Sequence, residues 1–64
     1  MAHFKSIKRA LEVGYKIYTF HFDESLKEWF FGLKIHNEEG LPTYIGFWTK
    51  RFPKYITIDN IKKR

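Results

Sequence analysis

The spacing of apolar residues changes once along this chain. Phe4, Ile7 and Leu11 recur at i, i+3 and i+7, one stripe of a 3.6-residue repeat, and Ala10 widens it. From Tyr15 onward the repeat falls to two. The first pattern predicts a short helix over His3–Val13, stopped by Gly14 at the C′ position. Ser6 offers itself as an N-cap, which would shorten that helix to about two turns. Lys8 and Glu12 stand at i,i+4, and Lys5, Lys8 and Arg9 lie off the apolar stripe, as a solvated face would.

Tyr15–Phe22 (YKIYTFHF) reads as the first strand. Strict alternation separates Tyr18, Phe20 and Phe22 from Tyr15, Ile17, Thr19 and His21. Asp23-Glu24-Ser25 supplies turn residues. Lys27–His36 is the second strand, with Trp29, Phe31, Leu33 and Ile35 on its core face. Its other face reads Glu28, Phe30, Gly32, Lys34 and His36. Asn37–Gly40 forms a hairpin turn, with Gly40 free to take a positive φ.

Thr43–Phe52 (TYIGFWTKRF) is the third strand and the least ordinary one. Ile45 and Phe47 suit a core, yet the opposite face carries Tyr44, Gly46, Trp48 and Lys50. A half-buried strand needs large apolar groups on one face only, so the second aromatic face calls for a use. Lys50–Lys54 makes a tight connection in which Pro53 ends the ladder. Tyr55–Ile58 follows as a short fourth strand with Ile56 and Ile58 inward. Asp59-Asn60 caps a last turn, Ile61 packs back, and Lys62-Lys63-Arg64 forms a basic tail. The expected fold is α+β: a short N-terminal helix, then a three- or four-stranded antiparallel meander, either open or curled into a small SH3-like barrel. Gly32 and Gly46 inside strands suit curvature; they also suit a ligand lying flat on the sheet.

Composition narrows the rest. Sixty-four residues hold one domain, 1–64, with a thin stability margin. With no cysteine, neither a disulfide nor a thiolate–metal staple is available, so the thirteen aromatic residues must supply the core. No apolar run nears the roughly 18 residues of a membrane span, and the N-terminus lacks a signal-peptide h-region. A soluble, cytoplasmic protein without a membrane partner is expected. Lys, Ile and Phe are abundant and Ala, Gly and Pro scarce, a usage that AT-rich codons favour. That usage, in a short chain, suits a phage or mobile element.

Twelve Lys and Arg against seven Asp and Glu give +5, which favours an anionic partner. Acidic residues gather at Asp23, Glu24 and Glu28 and at Glu38 and Glu39, near the two turns. Phe30, Tyr44 and Trp48 would stack on bases, while Lys34, Lys50, Arg51 and Lys54 would hold phosphates. These seven residues are the candidate binding site, for DNA or RNA. The same rings, with Phe52, also suit a protein-interaction module such as a phage-encoded inhibitor docking on a host enzyme. A homodimer burying its own aromatic face is a third expectation. Ser6 and Ser25 lie in no nucleophile elbow, His3, His21 and His36 are scattered, and no phosphate-cradling glycine loop is present. No enzyme, metal or cofactor is expected.

Overall fold

The computed structural model describes residues 6–61, so Phe4, Lys5 and the basic tail lie outside the described residues. Helix α1 spans Ile7–Val13, which selects the later of the two expected starts. The Ser6 side chain accepts a hydrogen bond from the Arg9 N–H at 3.3 Å. At the other end Gly14 has φ +125°, and the Gly14 and Tyr15 N–H groups donate to the Leu11 and Ala10 carbonyls. This paired closure needs a residue without a side chain at C′. A Cβ on Gly14 would also stand 3.2 Å from Ile35 Cδ1. Glu12 pairs with Arg9 at 3.4 Å, at i,i+3, instead of with Lys8 at i,i+4. Seven residues cannot hold a helix alone; burial of Ile7 and Ala10 against the sheet does so.

The sheet is a three-stranded antiparallel meander in the order β1-β2-β3, with β1 Lys16–Asp23, β2 Glu28–His36 and β3 Pro42–Thr49. It remains open, not a barrel. The first hairpin closes with the Lys27 N–H donating to the Asp23 carbonyl at 2.8 Å, and Lys27 takes φ +56°. In the second, Asn37 Oδ1 accepts from the Glu39 and Leu41 N–H groups at 2.9 Å each, and Gly40 takes the expected positive φ.

Strand β1 departs from strict alternation. Ile17 pairs with Leu33, but the next partner of β2, Gly32, faces Thr19, so Tyr18 is an extra residue in a β-bulge. The bulge overturns the expected split of this strand. Ile17 joins Phe20 and Phe22 on the core face, while Tyr18 and Thr19 both turn to the other. Core demand explains the shift: Ile17 is 1% exposed, beside Leu33 and Phe31, both fully buried.

The segment after Pro53 also differs from expectation. Tyr55–Ile58 forms no strand; a 3-10 turn, η1, spans Ile58–Asn60. Thr57 N–H and Oγ1 donate to Asn60 Oδ1 at 2.9 and 3.3 Å, local bonds that compete with a ladder. Ile56 packs on the core as expected, but Ile58 is 68% exposed. Ile61 packs back and makes a single parallel bridge to Ile17. Helix α1 and this segment thus cover one face of the sheet, around Ile17, Phe31 and Leu33. Among the described residues no helix is long and apolar enough to cross a membrane.

Candidate nucleic-acid interface

The uncovered face is built in rows by the strand register. Its first row is His21–Phe30–Trp48, its second Thr19–Gly32–Gly46, its third Lys16–Lys34–Tyr44. Phe30 and Trp48 are direct partners with ring centroids 5.0 Å apart. His21 completes that row, 5.5 Å from Phe30 and 6.4 Å from Trp48 at 90°. In the third row the Lys34 ammonium stands 6.0 Å from the Tyr44 ring centroid, at the outer limit of a cation–π contact.

Tyr18 reaches this face only through the bulge. Its ring meets Tyr44 edge-on at 5.4 Å and 72°. Tyr44, Trp48 and Tyr18 are 54, 48 and 46% exposed, whereas Phe30 is half-buried beneath its neighbours. Three rings therefore present about half of their surface to solvent on one side of the sheet. Trp48 and Tyr44 are four residues apart on one strand, about 13 Å.

The glycines act differently from a ligand floor. A Cβ on Gly46 would stand 2.9 Å from Phe30 Cε1, and one on Gly32 would stand 2.8 Å from Thr19 Cγ2 and 3.0 Å from the Tyr18 ring. The chain's own rings occupy the space that the missing side chains leave. A flat ligand would meet side chains above Gly32, which is buried, whereas Gly46 stays exposed on the outer strand.

Of the seven candidate residues, Phe30, Lys34, Tyr44 and Trp48 are brought together on this face. Lys50, Arg51 and Lys54 are exposed and lie past the end of β3, beyond the rows. The turn there is held by Thr49 Oγ1, which donates to the Arg51 carbonyl at 3.1 Å. Phe52, grouped with Trp48 and Tyr44 by sequence, packs on the opposite face against Trp29 at 5.0 Å and Phe31 at 5.3 Å. His21 and His36 are not neighbours: His21 pairs with Phe30 and His36 with Pro42, at opposite ends of the sheet.

Sequence reasoning does not find Tyr18, His21 or Lys16. Lys16 Nζ donates to the Asp59 carbonyl at 3.0 Å, which ties its ammonium to η1 at the outer side of β1. His21 is legible as a residue facing away from Phe20 and Phe22. Tyr18 is not, because strict alternation groups it with Phe20 and Phe22, on the face opposite His21. Searches against family models, curated proteins and solved structures find no match for this chain.

Proposed function

We propose that this protein binds single-stranded nucleic acid, DNA or RNA, across the uncovered face of its sheet. One observation carries the proposal: Tyr18, Tyr44 and Trp48 stand half-exposed on that face with Lys16 and Lys34 in the same row as Tyr44. Bases stack on exposed rings irrespective of sequence, at about 1–3 kcal/mol each. Lys16 and Lys34, with Lys50, Arg51 and Lys54 beyond the strand end, supply cations for the backbone. The net charge of +5 favours encounter with a polyanion. Residue usage is consistent with a phage or mobile-element origin.

The deciding experiment is a titration with single-stranded DNA and RNA, followed by tryptophan fluorescence at two salt concentrations. Trp48 sits in the proposed site, and quenching that weakens steeply with salt is the expected outcome. No change with either polymer at low salt would end the proposal.

A second proposal, a protein-interaction module, draws support from the other face. Phe20, Phe22 and Phe52 are 41, 38 and 40% exposed around Trp29, toward the first hairpin. This patch is aromatic without an interleaved lysine, which suits an apolar protein surface better than a phosphate backbone. Charge reversals among the lysines should leave such docking intact while abolishing oligonucleotide binding.

A further inference from the structure

The two edges of the sheet are built differently. Strand β1 carries Lys16, the bulge at Tyr18 and the bridge from Ile61, each of which discourages another strand from pairing there. Strand β3 has none of these. From Thr43 to Thr49 it holds no charge, no bulge and no proline. Among the described residues, no backbone hydrogen bond reaches its outer side. A hollow lined by Ser6, Ile7, Pro53 and Tyr55 borders Phe47, Trp48 and Thr49 at the C-terminal half of that strand. An uncharged edge of this length is a template for strand addition.

We propose that the occupant is a second copy, with β3 pairing antiparallel to β3 about a two-fold axis at Gly46. Charge selects the second copy and the direction. Exposed Glu38 and Glu39 precede the strand, and exposed Lys50 and Arg51 follow it. Antiparallel pairing sets the acidic end of each copy against the basic end of the other; parallel pairing would align like charges. Directly opposite residues share a face, so Tyr44 lies opposite the second copy's Trp48 and Ile45 opposite its Phe47. Centring the axis on Ile45 instead would place Trp48 against Pro42 and lose both aromatic pairs. The result is a six-stranded sheet whose uncovered aromatic face is doubled. The proposal stands independently of what that face binds.

The test is sedimentation velocity across a concentration series in low salt, with E38K/E39K and K50E/R51E as paired charge reversals. All four positions are exposed, so both variants should keep the circular dichroism spectrum of the parent chain. The parent is expected to show a monomer–dimer equilibrium. Each variant alone should weaken dimerisation by about tenfold or more, since like charges then meet at both ends. Mixing the two variants in equal amounts should restore dimers, because opposite ends match again. A parent that stays monomeric to about millimolar concentration would overturn the proposal. So would a dimer indifferent to either pair, or a mixture that stays monomeric.

Discussion

Phe30 lies down over Gly46, so close that a Cβ at that glycine would come within 2.9 Å of the ring. The pair sits at the centre of the uncovered face, and Phe30 in turn supports Trp48. Gly46→Ala should therefore lift the ring. Overpacking costs about 1–3 kcal/mol, against roughly 0.5–1 kcal/mol regained from the lower entropy of an unfolded alanine. A net loss of about 1 kcal/mol in urea denaturation is expected. In a Phe30→Ala background the same change should be neutral or stabilising, and a double-mutant cycle that showed no coupling would refute the close approach of ring and glycine.

Lys27 is the sole non-glycine with positive φ among the described residues, and both members of its ion pair with Glu24 are well exposed. Left-handed backbone costs an L-residue about 1–2 kcal/mol, while an exposed pair of this kind contributes little. Lys27→Gly is expected to stabilise the hairpin by about 0.5–1 kcal/mol. Thermal melting should show the midpoint rising by a few degrees.

The bulge makes a prediction of an unusual kind. Removing Tyr18 from the chain leaves Ile17 followed by Thr19, so Thr19 still faces Gly32 and Phe20 still faces Phe31. The deletion should fold, as judged by far-ultraviolet circular dichroism. Removing Phe20 instead shifts His21 toward the core position and should not fold, because a one-residue slip exchanges the faces of a strand.

Binding should divide between rings and cations. Trp48→Ala is expected to cost about 1–3 kcal/mol of oligonucleotide affinity with little change in salt slope. Lys34→Ala and Lys50→Ala should each flatten the slope by about 0.7 for every phosphate that is no longer neutralised. Fluorescence anisotropy of a labelled single strand at several salt concentrations measures both quantities. Equal slopes in all variants would remove the lysine–phosphate pairing from the proposal.

Local chemistry in this chain is readable wherever one residue and its near neighbours decide the outcome. Ser6 and Gly14 bound the helix because capping and positive φ depend on a few atoms. Asn37 and Gly40 close the second hairpin for the same reason. Alternation places Trp29, Phe31, Leu33 and Ile35 on one face of β2 and Phe30, Gly32 and Lys34 on the other, since the sheet period is a property of the backbone. It also puts Phe30 on the same face as Trp48 once the hairpin is recognised, while the register that makes them direct partners comes from the structure.

Only the tertiary structure decides what depends on distant partners. The demand of Leu33 and Phe31 for Ile17 draws out the bulge, which moves Tyr18 to the uncovered face, against its own alternation. The side chains of Thr57 and Asn60 satisfy each other and the local backbone, so the expected fourth strand becomes a turn and the sheet stays open. Whether Gly32 and Gly46 mean curvature or vacant space turns on where Tyr18, Thr19 and Phe30 lie, all of them on neighbouring strands. A period is written in the chain itself, whereas the filling of a gap is set by residues that folding brings there.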